Sequence, residues 1–256
     1  VTIEDISNVS KKYFDPSSMR VVVTGKGSDI LTPLENITFN GQKLKVLYYD
    51  KYGNPTERPE FSKPLPEGIT AKSVMDGYVE AIGGRTKLEG VMTKSTISEA
   101  RMQGMTIQVS NRQTAKKQMR VEVSMMGNVM QKMVINASKG YNEMQGQKME
   151  LKGKEFENAL KAAALFPELE IDPDQISLKG IVDVDGKEAY EIQWSENKTI
   201  FYAVDDFLKI KMVETMEMQG QIQSSATSFG NYKTVEGISF PHSVQQNMGP
   251  QKVDFQ

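Results

Sequence analysis

The residues best equipped for chemistry are few and badly placed for it. His242 is the single histidine, and 256 residues contain no cysteine. A two-histidine metal site within one chain, a thiolate nucleophile, a disulfide and a cysteine-bound zinc or iron–sulfur centre are thereby excluded. His242 follows Pro241 near a strand start. As a general base it would need an orienting partner and a nucleophile within hydrogen-bond reach. The sequence offers neither, so it reads as a strand-surface residue. Asp205-Asp206 is a carboxylate pair, but neighbours on a strand point to opposite faces and Asp favours turns, so a turn is expected. Asp172-Pro173-Asp174 lacks the glycine and terminal glutamate of a calcium loop. Gly25-Lys26-Gly27-Ser28 fails the spacing of a phosphate loop and reads as a plain turn. Arg112, Lys116, Lys117 and Arg120 make a small basic patch that reads as a solvated hairpin turn. No catalytic residue, metal ligand or cofactor is expected in this chain.

The methionines are the unusual feature. There are sixteen, and ten lie between residues 92 and 149. Methionine is unbranched and polarizable, so a face lined with it can mould to varied apolar ligands. Two readings stand: a deformable lining for an acyl chain or hydrophobic peptide, or a core filled with Met in place of Leu. The candidate lining residues are Met105, Ile107, Val109, Met119, Val121, Val123, Met133 and Ile135, joined by Ile192, Trp194, Ile210 and Met212. Trp194 shares a strand face with Tyr190 and Ile192, which also suits a core. Met125-Met126 cannot both point inward from one flat strand.

Composition narrows the class. Lys+Arg (31) against Asp+Glu (33) leaves a net charge of −2, which argues against a nucleic-acid partner. With 25% charged and 38% apolar residues, the chain suits a folded soluble protein. No apolar run approaches the roughly 20 residues that span a bilayer, so a membrane-spanning helix is not expected. No basic segment followed by an apolar one opens the chain, so no signal peptide is visible. The first residue is Val1 rather than Met, which reads as processing or excision from a longer protein.

The elements that must position these residues fall into two groups. Over 1–53, Thr2 with Asp5 fits a capping box, and Ile3, Ile6, Val9 and Tyr13 recur at helical spacing. Asp15-Pro16 should stop that helix. Met19-Arg20-Val21-Val22-Val23-Thr24 reads as a buried strand, Ser28 as the cap of a helix over 29–36, and 43–49 as another strand. Residues 54–69 hold four of the ten prolines and read as an extended linker. Thr70 then opens a helix with Val74, Met75, Tyr78, Val79 and Ile82 on one face, ended by Gly83-Gly84. A shorter helix covers 86–91. Period-two alternation follows, with a hairpin turn at Met126-Gly127-Asn128. Helix returns over 154–165. Strands then recur to the end, with a type I′ turn at Asp185-Gly186. The expected class is α+β: a small αβ segment (1–53), then over 70–256 a curved antiparallel half-barrel of about ten strands covered by helices.

Two family resemblances attach to these groups. Val1-Thr2-Ile3-Glu4-Asp5-Ile6, Lys11-Lys12-Tyr13-Phe14-Asp15-Pro16, Met19 to Gly25 and Tyr49-Asp50-Lys51-Tyr52-Gly53 resemble the C-terminal end of pitrilysin/insulinase-type zinc metallopeptidases. That family's zinc site is an H-x-x-E-H helix with a distal Glu, and none of it is present. The resemblance implies the tail of a peptidase-like domain whose catalytic half is absent, and that half as a partner. Residues 70–256 resemble the LolA/LolB lipoprotein-sorting fold. Val79 to Gly84, Asp185-Gly186-Lys187-Glu188-Ala189-Tyr190 and Val235-Glu236-Gly237-Ile238-Ser239-Phe240-Pro241 carry it. It implies a half-barrel holding acyl chains or other apolar ligands, and a periplasmic or envelope location.

The combined expectation is the non-catalytic C-terminal region of a zinc-peptidase-like protein, inactive on its own. Its half-barrel would bind an apolar ligand, a lipidated partner or a hydrophobic peptide. The alternative is a free-standing periplasmic carrier or sensor of lipoproteins or lipids.

Overall fold

Local capping chemistry sets the first helix. Thr2 Oγ1 accepts from the Asp5 amide at 3.1 Å, and the Asp5 carboxylate accepts from the Thr2 amide at 2.7 Å. This reciprocal box starts α1 (Ile3–Tyr13). In the computed structural model, which describes residues 2–14, 20–25, 27–39, 42–59, 62–102, 104–218, 221–248 and 251–256, the chain divides into two units. These are Val1–Phe61 and Ser62–Gln256.

In the first unit, Ile3, Ile6, Val9 and Tyr13 of α1 all stay exposed. The stop expected at Asp15-Pro16 lies outside the described residues, as do Met19 and Lys26. The buried strand expected over 19–24 is corrected: Arg20–Thr24 has irregular backbone, and Val21 and Val22 are 84% and 86% exposed. An apolar run becomes a buried strand only where a sheet receives its backbone bonds, and the ladders of this unit are two residues long. β1 (Thr38–Phe39) pairs with β2 (Gln42–Lys43), and β3 (Tyr48–Tyr49) pairs with β4 (Pro55–Thr56). The strand expected over 43–49 is therefore only two fragments, its ends. α2 (Gly27–Glu35) begins one residue before Ser28, which is not its cap. Glu35 accepts from Arg58 at 2.7 and 3.1 Å and from Tyr48 at 2.5 Å. Those bonds, Arg58 first, hold its carboxyl down at about 2.

The second unit opens on α3 (Ala71–Ala81), capped by a Thr70–Ser73 box and burying Val74, Met75, Tyr78 and Val79. α4 (Arg85–Glu89) follows. Six strands come next: β5 (Thr93–Met102), β6 (Met105–Thr114), β7 (Met119–Met125), β8 (Asn128–Ile135), β9 (Gly140–Met144) and β10 (Gln147–Leu151). They form one antiparallel meander. α5 (Gly153–Ala162) leads to 3₁₀ turns at Pro167–Leu169 and Pro173–Gln175. The second meander is β11 (Ser177–Val184), β12 (Lys187–Ser195), β13 (Lys198–Ala203), β14 (Lys209–Met218), β15 (Gln221–Val235), β16 (Ile238–Met248) and β17 (Gln251–Phe255). Strands β5, β9 and β10 have no counterpart in the sequence reading.

Two-residue turns drive the meanders. Met126-Gly127, Gln145-Gly146 and Asp185-Gly186 all have positive φ at both positions, as type I′ turns require. The two sheets join where the Glu99 and Gln256 amides bond each other's carbonyls at 2.8 and 3.0 Å. The result is an open, curved antiparallel half-barrel with helices against it. Its main core gathers Val74, Tyr78, Ile181, Ile192, Ile200 and Tyr202. The Tyr78 and Tyr202 rings meet edge to face at 5.2 Å.

Candidate binding face

Register decides which residues share a face of the six-stranded sheet. Thr96, Asn111, Val121, Met133, Asn142 and Met149 stand directly opposite one another in successive strands. The next row on the same face is Ser98, Val109, Val123, Gln131, Met144 and Gln147. Apart from Lys94 at one end, the described residues of this inner face are uncharged. The opposite face carries Glu99, Arg112, Arg120, Glu122, Lys132, Glu143, Lys148 and Glu150. Several of these pair there, Arg120–Glu122 at 2.6 Å and Lys132–Glu143 at 3.3 Å. Period-two alternation has thus segregated charge from neutral residues almost completely.

The two ends of the inner face are closed by the protein itself. At one end Met119 and Ile135 are buried with Ala163, beneath Phe156, Ala159 and Leu160 of α5 and its approach. At the other, Ala100 and Ile107 are buried with Val253 and Phe255. Between them lies a strip of half-buried residues: Val109, Val121, Val123 and Met133, with the amides Asn111, Gln131 and Asn142. Val109 and Val123 pack against the second of these clusters and Val121 and Met133 against the first, each remaining half-buried. The amides of the strip bond along it, Gln131 Nε2 to Asn142 Oδ1 and Asn111 Nδ2 to Gln113 Oε1, each at 3.4 Å. Asn111 Oδ1 is buried and has no protein donor.

The structure sorts the expected lining residues into groups. Val109, Val121, Val123 and Met133 come together on the strip, and Met105 lies half-buried on the same face beyond Ile107. Ile107, Met119 and Ile135 belong to the clusters that close the strip. Ile192 is fully buried in the main core, with Trp194 and Met212 packed against it. Ile210 is elsewhere. The β13–β14 register slips between Phe201 and Tyr202, and the extra residue turns toward a cleft of about 410 Å³. Leu208, Phe229 and Tyr232 also line that cleft, with Lys187, Asp185 and Asp206 among its polar groups. Asp205 and Asp206 sit in a turn, as read from sequence, yet both carboxylates reach Lys187 Nζ at 3.2 Å. Met126, in its turn, is exposed, whereas Met125 faces inward.

Sequence reasoning missed a buried polar cluster beside the strip. The segment from α5 to the first 3₁₀ turn is held by side chains from three strands. Gln113 Nε2 donates to the Ala162 and Ala164 carbonyls, both at 3.1 Å. Lys94 Nζ donates to the Leu165 carbonyl at 2.7 Å and lies over the Phe166 ring. Lys209 pairs with the buried Glu168 at 2.5 Å. Burial pushes the Lys94 ammonium down to about 8, and the nearby Lys209 charge adds to that effect. Burial alone would raise Glu168. The attraction and hydrogen bond of Lys209 outweigh it, so the carboxyl is held below its ordinary value.

His242 is half-buried on β16, between Pro241 and Ser243. Lys117 of the basic patch pairs with Glu170 at 2.7 Å. Among the described residues, no group of three His, Asp or Glu side chains converges as a metal site. Among the same residues, no helix is long and apolar enough to cross a membrane.

No family model and no curated protein matches the chain. Solved structures do. A LolA superfamily protein from Nitrosomonas europaea is 10% identical, with 73% of this chain and 90% of that one covered at a TM-score of 0.47. A DUF1329 family protein from Desulfovibrio piger is 10% identical, with 73% and 91% covered at 0.43. The chain is thus similar to LolA-superfamily and DUF1329 structures, and no comparison supports the pitrilysin/insulinase-type resemblance of residues 1–53.

Proposed function

We propose that the strip on the inner face of β6–β9 binds one extended apolar chain, an acyl chain or an apolar peptide segment, without chemistry. The observation that carries this reading is the segregation of charge. Seven consecutive inward positions, Val109, Asn111, Gln113, Met119, Val121, Val123 and Met125, are neutral, while the charged residues of the same strands face away. Apolar contact supplies roughly 25 cal/mol per Å² buried, before the cost of ordering the ligand. Asn111 Oδ1 is an acceptor for a ligand hydroxyl or N–H, which would relieve a buried unpaired oxygen. The envelope setting and the role as carrier, sensor or domain of a peptidase-like parent belong to this proposal, supported by sequence resemblance.

Uptake of 1-N-phenylnaphthylamine by the full chain tests the reading. Fluorescence should rise on mixing and fall when a long-chain acyl ligand competes. Val123→Glu places a carboxylate on the strip and should weaken uptake by about tenfold or more, since a charge is costly to bury. Glu122→Gln, on the opposite face, should leave it unchanged. Equal uptake by Val123→Glu and wild type would remove the strip from consideration.

A further inference from the structure

Among the described residues of the second unit, three sheet edges carry backbone bonds to another segment and a fourth does not. β5 and β17 meet through the paired Glu99 and Gln256 amides and carbonyls. The outer edge of β11 is bridged at Ile181 by the segment before α3: the Lys63 amide donates to the Ile181 carbonyl at 2.7 Å, and the Ile181 amide donates to the Lys63 carbonyl at 3.3 Å. β10 is the terminal strand of the six-stranded sheet, and four of its five residues are exposed. An edge of this kind is a template for another strand.

We infer that β10 pairs with β10 of a second copy of this chain, antiparallel and centred on Met149, to form a two-fold dimer with a continuous sheet. Two independent features of the strand point to that occupant. The first is hydrogen-bond phase. Gln145-Gly146 closes the β9–β10 hairpin as a two-residue turn, so Met144–Gln147, Asn142–Met149 and Gly140–Leu151 are the hydrogen-bonded pairs. The N–H and C=O groups of Lys148 and Glu150 consequently point away from β9. A two-fold axis at Met149 sets Lys148 opposite Glu150 of the second copy, and Glu150 opposite its Lys148. Both outward-bonding residues then meet outward-bonding residues.

The second feature is charge. In that register each Lys148 faces a Glu150 across the strands, an arrangement that stabilises antiparallel pairs. Shifting the axis to Lys148 would set lysine against lysine. Shifting it to Glu150 would set glutamate against glutamate and Lys148 against Lys152. Charge therefore selects one register among those the hydrogen-bond phase allows. Lys148 and Glu150 are 62% and 61% exposed, and their contacts within the chain, to Glu143 at 3.9 Å and to Lys152 at 3.3 Å, are surface ion pairs that hold them only weakly. On the inner face the two Met149 side chains meet on the axis, which accounts for an exposed methionine at the sheet edge. The ladder spans only five residues, so the dimer is a weak one that forms with rising concentration.

Sedimentation of the full chain over a concentration series tests this directly. Wild type should show a reversible monomer–dimer equilibrium. Lys148→Glu alone sets glutamate against glutamate at both positions, and Glu150→Lys alone sets lysine against lysine. Each should dimerise roughly tenfold or more weakly. An equimolar mixture of the two variants sets Glu against Lys at every position and should regain the wild-type affinity. Lys148→Glu also sets a glutamate opposite Glu143 in its own hairpin, so circular dichroism and thermal unfolding of each variant check that the fold is kept. Wild type that stays monomeric throughout, single variants that associate undiminished, or a mixture no stronger than its components would each overturn the proposal.

Discussion

Lys209→Met should destabilise the second unit by about 3 kcal/mol, toward the lower end of what breaking a buried ion pair costs. The variant leaves the Glu168 carboxylate buried, its side chain only 5% exposed, with its direct partner gone. Lys94 remains nearby and offsets part of the loss, which sets the effect at that lower end. For a unit of this size the change corresponds to a fall in Tm of roughly 6–12 °C. Removing both partners should cost much less. Glu168→Met/Lys209→Met replaces two desolvated charges with apolar volume and should lie within about 1 kcal/mol of wild type. The pH dependence has a definite sign. Glu168 is held below its unfolded value, so its contribution is complete above that value, near 4.5. It is lost as pH falls through the lower folded value. Chemical denaturation at neutral and acid pH measures both, and the gap between Lys209→Met and wild type should narrow in acid. A single variant no less stable than the double would mean that the pair contributes nothing.

Gly83→Ala should cost about 2–4 kcal/mol, a large effect for one methyl group. Gly83 has φ +141°, and a Cβ there would lie 2.8 Å from the Gly237 carbonyl oxygen and 3.4 Å from Ile238 Cα. Both obstacles are backbone, so neither can rotate aside. The contact holds α3 to the β15–β16 turn, where the Ser239 amide donates to the Ile82 carbonyl at 2.8 Å. Gly90 is the control. It ends α4 at φ −76°, and its nearest neighbour to an added Cβ is 3.4 Å away. Gly90→Ala should stay within about 0.5 kcal/mol of wild type. Thermal unfolding of the two variants separates the cases, and equal stability would refute the close approach.

Legibility from sequence followed the range of the interactions. The Thr2–Asp5 cap, the helix start at Thr70 and the turns at Met126-Gly127 and Asp185-Gly186 were readable because each is decided within about four residues. Gly83 was readable as a helix stop, but its approach to Gly237 was not, since that depends on a contact more than a hundred residues away. β5 was missed because Thr93, Ser95, Thr96 and Ser98 leave too little apolar contrast between its faces. The β9–β10 hairpin was missed for the same reason, with polar residues on both faces and a Gln-Gly turn. Arg20–Thr24 failed in the opposite sense: strong apolar character without a sheet to join.

The binding face was half legible. Alternation gave Val109, then Val121 with Val123, then Met133 a face of their own strands, but the pairing that aligns those faces, and what covers them, depends on register between strands. Ile107, Met119 and Ile135 share those faces and are closed over by β17 and α5. Ile210 was misplaced because a one-residue bulge reverses parity, which no pattern of apolar residues reveals. Glu168 and Lys209 were invisible because charged residues default to the surface, and 41 positions separate them.

The central claim is that the strip between α5 and β17 receives the apolar chain. Photolabelling of the full chain with a long-chain fatty acid bearing a diazirine, followed by mass-spectrometric mapping, addresses it most directly. The account predicts label on peptides from β6, β7 and β8, around Val109, Val121, Val123 and Met133, and its suppression by unlabelled acyl ligand. Label concentrated at Leu208, Ile210 and Phe229 around the 410 Å³ cleft, or no competable label at all, would contradict it.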